Sequence, residues 1–329
     1  MKSLFSSVSL LALCGSAVLL GGCEAKDCTT EEGNDAVCAA SLKVFEAQPQ
    51  TLEQDYLDGA QVNIKGLYGD ILVRVGSPGV VSAEFTPFNY RGEGEDLEAK
   101  QELEDNIDLA AETDADGNVT ISVGRHGATN GLGSHITVSL PPEFNGPLVV
   151  ENDGEGVINQ GAIDVSFVGD STVLNVVNHG LENCNILRGT DSEPVAPSAL
   201  TSVDVRCGAD ITVRGVNDDV VVHSAAEFHS NIRVEIASVS ATSNGGRING
   251  DDTSIELILP EGGNFNVDAS VGAGATIKNL DLPASCEASV DEPRAKLLSC
   301  GTGGAVYQVS TKDADPDDDD AAFIRVLVQ

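Results

Sequence analysis

The sequence lacks tryptophan, and phenylalanine and tyrosine together make up only 4% of its 329 residues. Flat sugar-binding platforms normally stack a ring on an aromatic side chain, so the composition argues against a lectin-like role. Basic residues are also scarce, with 18 Lys and Arg against 52 Asp and Glu and a formal net charge of −34. Such a surface repels phosphates, so we expect no nucleic acid partner and no direct attraction to anionic membranes.

Long apolar runs are absent after the first two dozen residues. Lys2 precedes an almost wholly apolar or small stretch over residues 4–20, which is the layout of a secretory signal peptide and too short for a spanning helix. The letters "LGGC" at 20–23 resemble the lipobox of bacterial lipoproteins. The resemblance implies cleavage before Cys23 and lipid attachment to it, and several acyl chains make a lasting anchor. Glu24 is compatible with an outer membrane lipoprotein, facing the periplasm or the cell surface.

Six cysteines remain once Cys14 leaves with the signal peptide and Cys23 carries lipid. An even number in an exported chain predicts disulfides, although six cysteines allow 15 pairings. The simplest pairing follows sequence order: Cys28–Cys38, Cys184–Cys207 and Cys286–Cys300. A zinc site would require CxxC pairs or clustered Cys and His, and neither spacing occurs.

The mature chain divides into two parts by composition. Residues 23–55 are polar and acidic without sustained periodicity, which predicts a lipidated tether with one small disulfide loop. Residues 56–329 carry the folded domain, and residues 1–22 are the signal peptide. The 41% of apolar residues, mostly Val, Ile and Leu, suffices for a sizeable core.

The folded domain shows the period of two that is typical of β-strands. It begins at Val62 and recurs in short runs near residues 71–75, 119–123, 136–140, 203–205, 211–213, 220–222, 232–236 and 255–259. One segment differs. Leu97, Leu103 (or Ala99), Ile107 and Ala110 have near-helical spacing, which predicts an amphipathic helix over about 94–111, followed by a hairpin turn at "DADGN" (114–118).

Short strands separated by glycine turns suit either a β-helix or a β-sandwich. Two features favour the β-helix: strands near Val203, Ile211 and Val220 recur about 28 residues later near Ile232, Val239 and Ile248, and stacked parallel strands would bring Cys184 and Cys207 together. We therefore predict an all-β solenoid of short stacked strands with one helix, in which the strands near Val203 and Ile232 are direct neighbours. A β-sandwich is the alternative.

Three segments resemble a known family. The strand–"GDI"–strand units, the acidic helix before "DGNVTISV", and "ITVSLPPEFNGPLVVENDGEGVIN" are similar to bacterial adhesin domains related to the head domains of auto-transporter adhesins. The resemblance covers roughly residues 60–280. It implies a β-helical body on an exported or membrane-anchored protein, and no established active site whose residues could be transferred.

Two groups of side chains are weak candidates for metal binding. His223, Glu227 and His229 share one strand parity, but a flat ladder offers little convergence for a metal. The acidic run at 313–322, with Asp313, Asp315 and Asp317, partly resembles a calcium loop but lacks its glycine and closing glutamate. A solvated acidic loop is the favoured interpretation.

No nucleophile elbow, zincin, phosphate-loop or dinucleotide motif occurs, so we expect a protein that is not an enzyme and holds no cofactor. The sequence favours a lipid-anchored, adhesin-like binding or structural module of the cell envelope, with the membrane and an unidentified protein or glycan as partners. An enzyme acting on envelope or extracellular polysaccharide is the alternative, although scattered basic residues and a strongly acidic surface disfavour it. A purely structural envelope component is a third possibility.

Overall fold

The computed structural model describes residues 43–91, 96–126, 131–153, 161–187, 199–226, 229–278, 283–312 and 322–329. The signal peptide, Cys23, the Cys28–Cys38 pair, and Asp313, Asp315 and Asp317 lie outside these ranges. Within them, no helix is both long and apolar enough to cross a membrane.

Two 12-stranded sheets and one helix, α1 (Asp96–Asn106), make up the described fold. Sheet A contains β1 (Lys43–Glu46), β2 (Gln50–Asp55), β4 (Ile71–Val75), β5 (Val80–Arg91), β8 (Leu132–Leu140), β10 (Ile163–Val165), β12 (Cys184–Ile186), β14 (Ile211–Asn217), β16 (Ser230–Ser238), β18 (Thr253–Leu259), β20 (Thr276–Ile277) and β24 (Phe323–Val328). Sheet B contains β3 (Val62–Gly66), β6 (Ile107–Thr113), β7 (Val119–Arg125), β9 (Leu148–Asn152), β11 (Val173–Asn178), β13 (Ser202–Cys207), β15 (Asp219–Ser224), β17 (Gly245–Gly250), β19 (Phe265–Val271), β21 (Cys286–Glu292), β22 (Ala295–Cys300) and β23 (Ala305–Thr311).

From β9 to β18, consecutive strands alternate between the sheets, and each strand from β9 to β16 pairs in parallel with the next strand but one. One coil therefore consists of a sheet B strand followed by a sheet A strand. Ile232 of β16 lies beside Ile211 of β14 on one side and Ile255 of β18 on the other. The predicted solenoid is confirmed in this region, where consecutive strands do not pair antiparallel as a sandwich would require.

The predicted pairing of the strands near Val203 and Ile232 is wrong. Val203 lies in sheet B beside Leu174 and Val220, whereas Ile232 lies in sheet A. The true offsets vary: Val203 and Val220 are 17 residues apart, and Ile211 and Ile232 are 21 apart. The offset from Val203 to Ile232 compared strands of opposite sheets, because each coil contains two strands joined by turns of unequal length. The offset from Val220 to Ile248 did identify neighbours, since β15 and β17 pair in parallel.

Chain order is permuted at both ends of the solenoid. At one end, β3 lies between β7 and β9, and β4 lies between β8 and β10. At the other end, β23 lies between β17 and β19, and β24 lies between β18 and β20. The last coil of the chain, β23 with β24, is thus inserted between two coils that precede it in the sequence.

Alternating side chains of both sheets form one mostly aliphatic core between them, which also includes a few aromatic rings. The predicted inward residues are buried with the exception of Val239, which is only partly buried and follows the end of β16. The confirmed set is Val203, Val205, Ile211, Val213, Val220, Val222, Ile232, Val234 and Ile248. Period-two alternation therefore identified the core correctly even where the strand neighbours were wrong.

The N-terminal part of the fold departs from two predictions. Residues 43–55, which were assigned to the tether, include β1 and β2, and both strands pair antiparallel with β5. The helix ends at Asn106 instead of near 111, and the following β6 pairs antiparallel with β7. Ile107, Leu109 and Ala111 also fit a strand period, so pairing with β7 decides their conformation. The hairpin turn at 114–118 is confirmed, with Gly117 at φ 85°.

Two disulfides occur among the described residues, Cys184–Cys207 and Cys286–Cys300. The first does not join stacked neighbours, because Cys184 lies in sheet A and Cys207 in sheet B; it crosses the interior with a Cα–Cα distance of 6.2 Å. The second joins directly opposite residues of the antiparallel hairpin β21–β22. One bridge therefore links the two sheets, and the other closes the hairpin at the end of sheet B.

We expect thiol labelling of the denatured, unreduced mature protein to find no free cysteine. Peptide mapping should recover Cys184 with Cys207 and Cys286 with Cys300. Because each bridge constrains the unfolded chain, replacing Cys184 and Cys207 together by serine should lower the free energy of unfolding by roughly 3 kcal/mol. Reactive thiols at these positions in the wild type would contradict the assignment.

Candidate binding surface

The outer face of sheet B presents two parallel rows of side chains that run along the solenoid. We define row one as Asn63, Val149, Asn175, Asp204, Val221, Arg247, Gln308 and Asp268. We define row two as Lys65, Glu151, Val177, Arg206, His223, Asn249, Ser310 and Ser270. Because the strands are parallel and in register, successive members of a row are about 4.8 Å apart.

Contacts between neighbouring members hold several of these side chains in place. His223 Nδ1 lies 3.3 Å from Asn249 Oδ1, and Arg247 Nη2 donates to Gln308 Oε1 at 3.3 Å. Arg206 Nε lies 3.6 Å from Asp204 Oδ1. Each contact joins two residues of the rows, so the polar groups keep a fixed spacing on a rigid sheet.

A shallow trough of about 320 Å³ lies where β17, β23 and β19 meet the rows. Its lining residues are Arg247, Asn249, Asp268, Ser270, Gln308, Val309 and Ser310. Ser310 and Ser270 are short, so row two dips there, while the longer side chains of row one stand beside it. We call this depression the serine trough. It is lined by amide, hydroxyl, guanidinium and carboxylate groups.

The outer face of sheet A is chemically different. Glu256 accepts hydrogen bonds from Arg233 at 2.7 Å and from Arg325 at 3.4 Å, and Glu235 accepts one from Arg214 at 3.0 Å. These charged side chains satisfy each other across adjacent strands. A ligand would have to compete with those ion pairs, which makes sheet A the less favourable face for recognition.

A second polar group occupies the turn between β3 and β4. The Asp70 amide donates to His135 Nδ1 at 3.1 Å, and the Asp70 carboxylate accepts from the Ala162 amide at 2.9 Å. Burial pushes the pKa of Asp70 up, but the hydrogen bonds outweigh it and the pKa lies below its ordinary value. The nearby Tyr68 has φ 47° and its ring lies 5.3 Å from the Arg125 guanidinium carbon.

This Asp70 group connects β4 to β8 and β10. Its partners are the His135 side chain on β8 and the Ala162 backbone amide just before β10, so the group ties three coils together. Sequence reasoning missed it because Asp70 and His135 are 65 positions apart and no local pattern brings them together. A fold-level alignment of β4 with β8 would have been needed to find it.

Among the residues that the structure describes, the phenol of Tyr307 is the most deeply buried titratable group with a shifted pKa. Its ring is fully buried in β23, and its hydroxyl donates to the Asp218 carbonyl at 2.8 Å. Burial raises the pKa of Tyr307 well above its ordinary value, with Asp218 and Asp219 adding to the shift and a hydrogen bond with Ser243 opposing it. The Tyr307 phenol must therefore stay neutral when the inserted coil packs into the fold.

We expect stability to fall as pH rises above about 10, where the unfolded phenol ionises but the folded one keeps its proton. The folded state then binds more protons, so alkali favours unfolding. Tyr307→Phe should flatten this dependence between pH 10 and 11.5, at a cost of about 1 kcal/mol at pH 8 because the Asp218 carbonyl loses its donor. Urea midpoints at pH 8, 10 and 11 measure both effects; an unchanged alkaline slope would contradict the role of Tyr307.

The weak metal candidates do not converge. His223 lies in sheet B and His229 immediately precedes β16 of sheet A, so the shared strand face predicted for them is wrong. His223 faces Asn249, while His229 Nδ1 lies 3.5 Å from Asp252. Glu227 is outside the described residues. In the ranges that the structure describes, no three His, Cys, Asp or Glu residues are placed to hold a metal ion.

Comparison with known proteins finds only distant structural similarity. No family model matches the chain, and no curated protein matches it. A candidate cell adhesion protein of Clostridium sporogenes is similar in structure at 10% identity, covering 86% of this chain and 100% of that one with a TM-score of 0.34. A candidate adhesin of Bacteroides fragilis is similar at 10% identity, covering 86% and 97%, with a TM-score of 0.35. Similarity at this level carries no argument about function.

Proposed function

We propose that the protein is a lipid-anchored, non-catalytic binding module of the bacterial cell envelope, and that the outer face of sheet B is its binding surface. The observation that carries the proposal is the pair of side-chain rows on that face. Row one and row two place polar groups at regular intervals on strands that pair on both sides. Membership in the adhesin-domain family, which rests on the sequence resemblance over about 60–280, is part of the same proposal.

A rigid face supports binding because its ordering cost is met when the protein folds. The strands behind the rows bury an unbroken aliphatic core, and contacts such as Arg247 with Gln308 hold exposed side chains. A ligand that matches the spacing loses its own freedom but orders little of the protein. Display of a preformed surface, without chemistry, is therefore the proposed mechanism.

Export to the envelope is supported by two independent features of the chain. The lipobox-like "LGGC" ends an apolar leader, and disulfides such as Cys184–Cys207 persist in oxidising compartments outside the cytoplasm. The net charge of −34 repels anionic lipid headgroups, so the acyl chains would hold the protein while the body stays off the surface. We propose an outer membrane location, facing either the periplasm or the outside.

We expect Cys23→Ala to release the protein from membranes or to leave the precursor uncleaved. The thiol is the attachment point for the acyl chains, whereas binding through sheet B is reversible and is lost when the membranes are washed repeatedly in a large volume. Fractionation and the mass of the mature N-terminus measure the result. Normal cleavage with membrane retention that survives repeated washing would overturn the lipoprotein part of the proposal.

The binding part is tested by blocking one face at a time. Lipid-free protein (residues 24–329) is sedimented with isolated envelopes of cells that lack the gene. Val177→Trp combined with Val221→Trp places two large rings on the sheet B rows and should abolish retention. Thr212→Trp places one on sheet A and should not. Equal retention of both variants would show that sheet B is not the binding surface.

A further inference from the structure

We infer that the serine trough binds a short stretch of a neutral oligosaccharide, held through its hydroxyl groups. The inference rests on the proposed function, because it names the ligand class of the same face. The trough is an open site of about 320 Å³ near the end of the solenoid, formed by three adjacent parallel strands.

The lining matches a ligand that both donates and accepts hydrogen bonds. Asn249 and Gln308 carry amides, Ser270 and Ser310 carry hydroxyls, and Val309 is buried behind them. Sugar hydroxyls can act as donor and acceptor in the same way as serine, so each can pair with any of these groups. An apolar ligand would leave the polar groups without water or a partner, which is unfavourable.

The charges of the trough select against ionic ligands. It carries one guanidinium, Arg247, and one carboxylate, Asp268, so its formal charges cancel in a chain with a net charge of −34. A polyanion is repelled by the surrounding surface, and a polycation is attracted to the acidic surface as a whole but gains no net charge complement inside the trough. A neutral ligand depends only on the hydrogen-bonding groups of the trough.

The geometry favours a linear polymer lying along the solenoid. Arg247, Gln308 and Asp268 follow one another in row one, with Asn249, Ser310 and Ser270 beside them in row two. The rungs are about 4.8 Å apart, so hydroxyls that recur along a polymer can meet equivalent groups on successive strands. The volume lies at the small end of the range of about 300–1,000 Å³ for ligand sites, which limits the contact to a short stretch.

Weak affinity at one site is compatible with the proposed setting. None of the seven described residues that line the trough is aromatic, so the stacking that strengthens most sugar sites is missing. Many anchored copies on one cell could raise the overall avidity by roughly 10²–10⁴ without new contacts. The absence of rings that disfavours a conventional lectin therefore predicts fast, weak and multivalent binding.

The test uses the lipid-free mature chain and four defined probes: neutral cellohexaose and maltohexaose, anionic hexagalacturonate, and a cationic hexamer of glucosamine. Saturation-transfer NMR titrations give the relative affinities. In roughly 0.5 M NaCl, which screens the acidic surface, we expect at least one neutral hexamer to bind more tightly than either charged hexamer. Ser270→Leu, which fills the trough at an exposed position, should weaken that binding at least tenfold, whereas Thr212→Leu on sheet A should leave it unchanged.

Failure of this inference can be separated from failure of the proposed function. If neither neutral hexamer binds but envelopes still retain the protein through sheet B, the ligand class is wrong and the binding surface stands. Tighter binding of a charged hexamer, or an equal effect of Ser270→Leu and Thr212→Leu, also overturns the inference. If, in addition, envelopes do not retain the protein through sheet B, both proposals fail.

Discussion

Val213→Asp is expected to prevent folding. Val213 is completely buried in β14, between Ile186 of β12 and Val234 of β16. Its surroundings are aliphatic, so a carboxylate there would have no partner and would cost several kcal/mol, a large part of the ~5–15 kcal/mol that stabilises a typical domain. Because the coils on both sides rest on this side chain, the damage should spread beyond one strand.

Thr212→Asp is the matched control, one residue earlier in the same strand. Thr212 faces outward between Asn185 and Arg233, so a carboxylate there stays hydrated and gains a basic neighbour. We expect this variant to be soluble, with a wild-type circular dichroism spectrum and a midpoint of urea unfolding close to the wild type. Comparable loss of structure in the two variants, or folding of both, would contradict the assignment of inner and outer faces.

Removal of residues 305–329 is expected to unfold at least the C-terminal third of the solenoid. This segment contributes β23 and β24, which pair on both sides: β23 with β17 and β19, and β24 with β18 and β20. Without them, β17 and β19 would be separated by the width of a strand, and the buried Tyr307, Val309, Ile324 and Val326 would be missing from the core. Limited proteolysis should cut the truncated chain near residues 245–278.

Deletion of the hairpin residues 286–300 provides the control, because it also removes two paired strands of the C-terminal region. The hairpin pairs only with β19 and lies at the end of sheet B, and the Gly301 amide donates to the Ser285 carbonyl at 3.1 Å, so the cut ends can be joined. We expect this deletion to lower stability while residues 245–278 stay protected. Equal protease sensitivity of both deletions would show that the inserted coil is not needed by its neighbours.

The sequence predicted local features of the fold better than its connections. Alternation such as that at Val220 and Val222 depends only on one strand having a solvent-exposed face and a buried face. The inward-facing residues could therefore be predicted from the sequence. Strand neighbours depend on turn lengths, and offsets of 17 and 21 residues in adjacent coils hide the repeat. The inserted coil leaves no local trace, since β23 follows a hairpin in sequence but pairs with β17.

Composition misled the prediction at the N-terminus. Residues 50–55 are polar and were assigned to the tether, yet β2 pairs with the first half of β5 and lies at the border of sheet A. An edge strand of this kind needs few apolar residues, because one of its sides contacts solvent.

The binding rows also could not be predicted from the sequence. Which polar residues become neighbours is set by register, and Arg247 and Gln308 are 61 positions apart.

The proposed function requires the outer face of sheet B to contact a partner in the envelope. Its most direct test replaces Val221, in row one, with a photo-cross-linking amino acid in living cells that express the full chain. The control places the same group at Glu84, an exposed position on β5 of sheet A. The proposal predicts a discrete cross-linked species from position 221 and none from position 84. No species from position 221, or the same species from both positions, would contradict it.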